Sequence, residues 1–323
     1  MNRRHALGAL ASALVWPSIA SAQRDRRLPV LGLLITHPPI DDAVVDVFRA
    51  GLRKYGYEDG KNCKLEVRTA LGQLDRVPVL IMELVQLPVD VLVVVNEVAL
   101  RAAKQATRTI PIVMIGFIDD PVELGIIKSY NHPGGNITGV FNFNAALGGK
   151  RLEILKDALP NLTRVAVLWD GFGKRQLPEL QEAAHALGLQ LVLIEINDAN
   201  ELGKAFNFAK DRSAGAILMT FSPVFWVNRN RIALLAIDTG MPTISDIQRL
   251  ARSGCLLAYG SDDANNWERG AYFIDRILDG ADPAVLPVER LSKLTLVVNL
   301  RTAKALGITI PQSILLRADE VIR

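Results

Sequence analysis

The chain has 323 residues, of which half are hydrophobic and 22% are charged, and its formal net charge is +3. This composition excludes a globally disordered chain, and the length favours two domains, since single hydrophobic cores rarely grow beyond ~250–300 residues. The net charge is too small to favour binding to nucleic acid or to an anionic membrane. We therefore expect no nucleic-acid partner.

The N-terminus has the three parts of a secretory signal in order. A pair of arginines comes first, an apolar stretch covers residues 6–19, and residues 20–22 form the A-x-A pattern that precedes a cleavage site. We therefore predict a signal peptide at residues 1–22 and an exported mature protein that begins at Gln23, which in a Gram-negative bacterium would be periplasmic. A membrane anchor is the less favoured alternative, because the apolar stretch is shorter than the ~20 residues of a spanning helix.

In the first half, short apolar runs alternate with amphipathic stretches. Continuous apolar runs are typical of strands buried on both faces, and apolar residues spaced three or four apart are typical of helices. The predicted strands are residues 30–35, 63–67, 89–95 and 111–115, and the predicted helices are residues 41–52, 74–85 and 99–107. This alternation predicts a parallel sheet with helices on both faces.

The same order restarts in the second half. The predicted strands are residues 165–169, 190–196, 215–220 and 242–245, and the predicted helices are residues 177–187, 200–210 and 228–238. Glycine ends the first helix in both halves, at Gly56 and Gly188. We therefore predict an α/β protein with two doubly wound parallel-sheet lobes of one topology. A single large doubly wound sheet is the alternative.

No catalytic or metal-binding pattern is present. The histidines lack metal-ligand spacing, and the chain has no phosphate-binding loop and no nucleophile elbow. We therefore expect a binding protein rather than an enzyme, with no cofactor; catalysis is the less favoured alternative. The two cysteines, Cys63 and Cys255, are expected to be unpaired thiols, although an exported protein permits a disulfide.

Polar and aromatic residues gather after the predicted strands. Open parallel sheets bind ligands at the C-terminal ends of their strands, so two facing lobes would line one cleft with these residues. Helix capping and core packing are the alternative roles for several of them. The predicted ligand-binding residues are His37, Asn96, Glu97, Phe117, Asp119, Asn142, Asp170, Phe172, Phe221, Ser245, Asp246 and Tyr259.

Several segments also carry a family resemblance. They are FRAGLR at 48–53, AAKQAT at 102–107, DPV at 120–122, PGGNITG at 133–139, GKRLE at 149–153, NLRTAKALG at 299–307 and LLRADEVI at 315–322. In order and spacing they resemble the ABC-transporter substrate-binding proteins that include tryptophan- and tyrosine-binding members. The resemblance covers the chain from the signal to its last residue.

The resemblance implies a periplasmic-binding-protein clamp of type I, with three crossovers between its lobes. The N-terminal lobe would comprise residues 23–140 plus 262–290, and the C-terminal lobe residues 141–261 plus 291–323. It also implies a monomer that captures an amino acid or related small molecule for an importer with separate permease and ATPase subunits. A periplasmic module that senses a ligand for a membrane receptor is the alternative function.

The sequence departs from the usual family pattern at the expected ligand site. Asn96 and Glu97 replace small hydroxyl or glycine residues, Glu123 follows the Asp-Pro-Val segment in place of a small residue, and residues 170–172 replace an Asn-Pro turn. A carboxylate at position 97 would repel a ligand carboxylate from the helix N-terminus. We therefore expect an amine or a hydroxyl-rich group of the ligand to lie there.

Overall fold

The computed structural model describes residues 27–36, 43–117, 119–142, 147–261 and 263–323. The predicted signal peptide and the predicted ligand-binding residue His37 lie outside these ranges. Within them, no helix has both the length and the apolar character needed to cross a membrane.

The first half of the chain builds one sheet. Its elements are β1 (Val30–Ile35), α1 (Ala43–Lys54), β2 (Lys64–Thr69), α2 (Val77–Gln86), β3 (Val91–Val94), α3 (Glu97–Ala106), β4 (Ile112–Phe117) and β5 (Ile137–Phe141). These strands pair in the order β2-β1-β3-β4-β5, and all the pairs are parallel.

The second half repeats this arrangement. Its elements are α4 (Gly148–Ala158), β6 (Arg164–Trp169), α5 (Leu177–Ala186), β7 (Gln190–Glu195), α6 (Leu202–Asp211), β8 (Ala216–Met219), α7 (Pro223–Val227), α8 (Arg229–Thr239), β9 (Thr243–Ser245), α9 (Gln248–Ser253) and β10 (Leu257–Ser261). The order β7-β6-β8-β9-β10 matches that of the first sheet strand for strand.

The last part of the chain visits both sheets. Helix α10 (Asp263–Leu278) packs on α1, where the rings of Phe48 and Trp267 are 5.4 Å apart, and β11 (Glu289–Arg290) pairs with β5. The chain then adds β12 (Leu294–Asn299), α11 (Leu300–Ala305), α12 (Gln312–Leu315) and β13 (Glu320–Ile322) to the second half, with β12 antiparallel to β10. It therefore passes between the two sheets three times.

Each sheet is buried on both faces. In β1, Leu31, Leu33 and Ile35 pack towards α1 and α10, whereas Val30 and Leu34 pack towards α2 and α3. The strands of the second sheet divide in the same way between two further clusters. Burial of one such side chain contributes about 1.5–3 kcal/mol, so these four layers supply most of the driving force for folding. The predicted fold class is confirmed.

Strand β5 is not among the strands predicted from the sequence, and it follows the glycine pair at residues 134–135. Its Gly139 has a φ of +128°, and a Cβ atom there would lie 2.2 Å from the carbonyl oxygen of Met114. Glycine is thus needed for close approach of the β4 and β5 backbones. Gly139 therefore belongs to a buried strand and not to a turn.

Candidate functional site

A cavity of about 450 Å³ lies between the C-terminal ends of the two sheets. This volume falls within the ~300–1,000 Å³ range of small-molecule sites. The first sheet and its loops contribute Gly72, Leu74, Val95, Asn96, Glu97, Val98, Gly116, Phe117 and Asp119 to its walls. The second sheet and its loops contribute Asp170, Gly171, Phe172, Arg175, Ile196, Asn197, Phe221 and Val224.

Seven of the predicted ligand-binding residues lie along this one cavity. They are Asn96, Glu97, Phe117, Asp119, Asp170, Phe172 and Phe221. They come from the ends of four different strands, where parallel sheets hold ligands. Whether they contact a ligand stays a prediction, because core packing also accounts for Phe117, which is 2% exposed.

Four other predicted residues are not among those that line the cavity. Asn142, Ser245 and Asp246 are buried, and Tyr259 is half-buried. The Ser245 hydroxyl donates to Asp246 and accepts a hydrogen bond from the backbone of Ile247, so Ser245 closes the end of β9. Asn142, Ser245 and Asp246 therefore lie in the protein interior, whereas Tyr259 is partly exposed.

The N-terminus of α3 forms part of the first-sheet wall. The side-chain oxygen of Asn96 accepts a hydrogen bond from the backbone of Ala99 at 2.9 Å, which caps the helix. Its amide nitrogen donates to the hydroxyl of Thr36, at the end of β1, at 2.5 Å. Asn96 is thus fixed from both sides, and capping accounts for its presence. The next residue, Glu97, holds its carboxylate at the cavity.

The loop after β6 forms the opposite wall, and Asp170 shapes it. The carboxylate of Asp170 accepts hydrogen bonds from the backbone of Phe172 at 2.9 Å and of Gly173 at 3.2 Å, and from the hydroxyl of Ser222 at 2.5 Å. Burial raises the pKa of Asp170, and these three donors partly offset that rise. Asp170 therefore holds the loop that presents Phe172 and Arg175.

Arg175 joins the two walls of the cavity. Its Nη1 atom lies 3.2 Å from Oε2 of Glu97 and 3.5 Å from Oδ2 of Asp119. Arg175 lies just before α5 in the second half, whereas both carboxylates belong to the first half. The sequence analysis did not select Arg175. Its position three residues beyond Phe172, in the same strand-end loop, was the available signal.

Asp119 is a partly buried carboxylate with an unfavourable environment. Its side chain is 18% exposed. Loss of solvation raises its pKa, Arg175 lowers it, and the charge of Glu97 raises it again. The ionised form of Asp119 is therefore less stable in the folded protein than in the unfolded chain.

Replacing Asp119 with asparagine is expected to remove a charge that costs stability at neutral pH. An acid whose pKa is raised on folding costs stability as the pH rises from its unfolded pKa through its folded pKa. The Asp119→Asn variant should therefore gain stability relative to the wild type as the pH rises from about 4 to 7. Urea unfolding of both proteins at several pH values measures the difference. A difference that stays constant, or one that favours the wild type as the pH rises, would contradict this assignment.

A second charged group lies near one of the connections between the sheets. Arg151, in α4, is fully buried; its Nε atom donates to the carbonyl oxygen of Tyr259 at 2.9 Å and its Nη1 atom to Gln176 at 3.4 Å. Burial lowers the pKa of Arg151, and the carboxylates of Asp246 and Glu179 counteract that change. Arg151 therefore ties α4 to β10 just before the chain leaves the second sheet.

The carbonyl group of Gly260, next to Tyr259, accepts a hydrogen bond from a different side chain. Gln248 donates from its side-chain nitrogen to the carbonyl oxygen of Gly260 at 2.9 Å and to the hydroxyl of Thr295 at 3.0 Å. A Cβ atom at Gly260 would lie 2.2 Å from the carbonyl oxygen of Asp246, so only glycine fits there. Two of the three connections between the sheets, after β10 and before β12, thus share one hydrogen-bonded anchor.

Neither a metal site nor a reactive thiol is evident in the described part of the chain. No group of three or more His, Cys, Asp or Glu side chains is placed there to hold a metal ion. Cys63 and Cys255 are buried free thiols, and burial raises the pKa of Cys255 to about 12. A thiol with such a pKa is inert at neutral pH.

The architecture and the cavity define the class of the protein. Two mostly parallel sheets of one topology, joined by three connections and separated by a cavity at their strand ends, form the fold of type I periplasmic binding proteins. The chain belongs to the family of ABC transporter substrate binding proteins, whose family model matches residues 31–322. The proteins of this family that resemble the chain are solute-binding proteins and not enzymes.

Individual relatives agree with this assignment. The chain is 25% identical over 279 residues to a tyrosine-binding protein of Clostridioides difficile, which covers 84% of the chain and 79% of the relative. The crystal structure of a conserved domain protein from Vibrio cholerae is 26% identical and covers 91% of the chain and 100% of that structure, with a TM-score of 0.81. An ABC domain from Streptococcus pneumoniae in complex with L-Trp is 25% identical and covers 92% of the chain and 100% of that structure, also with a TM-score of 0.81.

Proposed function

We propose that the protein is the periplasmic substrate-binding component of an ABC importer. It holds one amino acid, of the size of tyrosine or tryptophan, between its lobes. The observation that carries this proposal is the cavity of about 450 Å³ whose walls come from both sheets. The family assignment and the relatives, one tyrosine-binding and one in complex with L-Trp, support the choice of ligand.

The chemistry of the cavity suits such a ligand. Phe172, Phe221 and Val224 of the second sheet present apolar surface to it, and Leu74 and Val98 do so from the first. Phe221 and Val224 also pack against the core of their own lobe, which fixes their positions. Aromatic rings that face one another contribute more than their buried area alone. A ligand with an aromatic side chain therefore fits between these walls, with its polar groups towards the charged residues.

The proposed mechanism is closure of a clamp. The lobes, residues 23–140 plus 262–290 and residues 141–261 plus 291–323, move about the connections near residues 140–142, 260–262 and 289–292. A ligand that contacts both lobes has a higher affinity for the closed form, and this difference shifts the equilibrium towards closure. The closed form then docks as a monomer on a permease that works with a separate ATPase subunit.

A thermal-shift screen of the mature chain, from residue 23 onwards, tests the binding function. A ligand that binds only the native state raises the midpoint of unfolding, by an amount that depends on its concentration relative to Kd. We expect L-tyrosine or L-tryptophan to raise the midpoint. A flat response to both amino acids would contradict the proposed ligand class.

The Phe172→Ala variant should bind the same amino acid about tenfold more weakly, because it loses an aromatic ring from the cavity wall. A tenfold rise in Kd corresponds to a loss of about 1.4 kcal/mol of binding free energy. The matched control is Phe208→Ala, since Phe208 is 41% exposed on α6 and is not among the residues that line the cavity. Calorimetric titration of both variants gives the affinities. Equal affinities for the two variants would remove Phe172 from the site.

A further inference from the structure

Three charged side chains line the polar end of the cavity, and a fourth, Arg101, pairs with one of them from outside it. Arg175 contacts Glu97 and Asp119, as described above, and Arg101 donates from Nε to Oε1 of Glu97 at 2.7 Å. Arg101 lies one helical turn after Glu97 on α3 and is not among the residues that line the cavity. The cluster therefore holds two positive and two negative charges, and Glu97 has a cationic partner of its own outside the cavity.

Asp119 has fewer hydrogen-bond donors around its carboxylate than Glu97 among the described residues. Among the described residues its partner is Arg175, at 3.5 Å, and this is an ion pair without a hydrogen bond. An ionised carboxylate has about four lone-pair sites for hydrogen-bond donors, and burial without such donors is costly. Within the described part of the chain, Asp119 thus lines the cavity with acceptor capacity that no hydrogen bond uses.

Arg175 is more exposed to solvent than the two carboxylates that it contacts. Its side chain is 52% exposed, compared with 24% for Glu97 and 18% for Asp119. Ion pairs with this degree of exposure contribute little to stability, so exchange of one partner costs little. The planar guanidinium group is also the side chain best suited to bind a carboxylate through two hydrogen bonds.

We propose that the bound solute is a zwitterion whose ammonium group donates to Asp119 and whose carboxylate accepts from Arg175, so that this pair of side chains selects for both charges of the ligand. This inference rests on the proposed function, because it assigns the head group of the amino acid held in the same cavity. A zwitterion replaces the contact between Arg175 and Asp119 with two charge-assisted contacts and leaves the net charge of the cluster unchanged.

Ligands with one charged group fit the cluster less well. A monoamine satisfies Asp119 but brings a second cation close to Arg175, and a monocarboxylate satisfies Arg175 but brings a third anion close to Glu97 and Asp119. Like charges at such short range disfavour binding. The site therefore rejects both kinds of analogue, even where their aromatic parts are identical.

Because Asp119 and Arg175 belong to different lobes, this recognition also favours closure. The zwitterion contacts both charged partners only when the lobes are as close together as they are in the structure, where Arg175 pairs with Glu97 and Asp119. A ligand lacking either charge contacts one lobe with its head group, and so has less differential affinity for the closed form. Specificity and closure are thus linked through the same two side chains.

Calorimetric titration with matched ligands tests the inference. L-tyrosine carries both charges, tyramine lacks the carboxylate, and 3-(4-hydroxyphenyl)propionate lacks the amine; L-tryptophan, tryptamine and indole-3-propionate form the same series. We expect the amino acid to bind the mature wild-type chain about tenfold or more tightly than either analogue, since hydrogen bonds to charged groups are among the strong ones.

Two variants separate the roles of the side chains. Arg175→Gln should weaken binding of the amino acid about tenfold or more and leave the affinity for the amine unchanged or higher. Asp119→Asn should weaken binding of the amino acid by a similar factor and leave the affinity for the monocarboxylate unchanged or higher. Arg101→Gln is the control, because Arg101 pairs with the same Glu97 but is not among the lining residues, and it should change each affinity less than threefold.

The outcomes distinguish this inference from the function on which it rests. If the wild type binds the amino acid but Arg175→Gln and Asp119→Asn bind it equally well, the head-group assignment is wrong and the clamp function stands. If the amine binds the wild type as tightly as the amino acid, recognition of the carboxylate is wrong. If the wild type binds neither series, the aromatic amino-acid class itself fails, and the assignment fails with it.

Discussion

The Arg151→Met variant is expected to lose about 3–5 kcal/mol of its free energy of unfolding, because removal of one member of a buried charged group leaves the others uncompensated. Arg151 is 0% exposed and donates to the carbonyl oxygen of Tyr259 and to Gln176. Methionine fills a similar volume without supplying these donors. Urea unfolding of the wild type and the variant at neutral pH measures the loss.

The pH dependence of this loss tests whether Asp246 is the buried partner whose charge is left uncompensated. Burial raises the pKa of Asp246, and Arg151 lowers it. Without Arg151 the pKa rises further, so the penalty for the charged form grows as the pH rises and fades as Asp246 takes up a proton at low pH. The double variant Arg151→Met/Asp246→Asn should therefore recover part of the loss at neutral pH. No recovery in the double variant would show that Asp246 is not the group left uncompensated.

The Asp170→Ala variant is expected to lose about 3 kcal/mol of its free energy of unfolding and to bind the solute more weakly. Each buried donor that loses its acceptor costs about 1–3 kcal/mol, and Asp170 accepts from Phe172, Gly173 and Ser222. The loop after β6 would lose the acceptor that holds it. Phe172 and Arg175, which lie in this loop, would then lose their fixed positions. Chemical unfolding and ligand titration measure the two effects.

Asn is the matched control at this position. Asp170→Asn keeps an oxygen for the two backbone donors, and the Ser222 hydroxyl is able to accept from the new amide nitrogen. Since burial raises the pKa of Asp170, removal of its charge relieves a cost that grows as the pH rises through that pKa. The Asn variant should therefore be at least as stable as the wild type at neutral pH. If it is as unstable as the Ala variant, the charge and not the hydrogen bonding holds the loop.

The alternation of strands and helices could be predicted because both sheets are buried on two faces. Runs such as residues 30–35 and 165–169 are apolar throughout, and the structure places both in central strands. The repeat of this pattern predicted two lobes of one topology, and the strand orders agree. Periodicity was sufficient here, because each strand lies between helices whose apolar faces were also visible in the sequence.

Elements at the edges and connections were harder to predict. Strand β5 contains Gly139 and follows a glycine pair, so it lacks the continuous apolar run by which buried strands were predicted. The need for close approach to Met114 appears only in three dimensions. Strand β10 and helix α9 lie between residues 248 and 261, a segment too short and too mixed to show a clear period. Local signals do not record contacts that form between distant segments.

The site was predictable to the extent that strand ends determine it. Asn96, Asp119 and Phe172 lie within three residues of a strand end, and they line the same cavity. Arg175 lies further along its loop, and its contact with Glu97 depends on the arrangement of the two lobes. Conversely, Asp246 follows β9 directly but is covered from the cavity. Position at a strand end therefore finds candidates, and burial in the folded lobes decides among them.

The most direct test of the proposed function is a crystal structure of the mature chain grown with saturating L-tyrosine or L-tryptophan. We predict one amino acid between the lobes, in contact with Asp119 on one side and with Arg175 and Phe172 on the other. An empty cavity in crystals grown with each amino acid, or a ligand that contacts only one lobe, would contradict the assignment of this protein as a clamp for an aromatic amino acid.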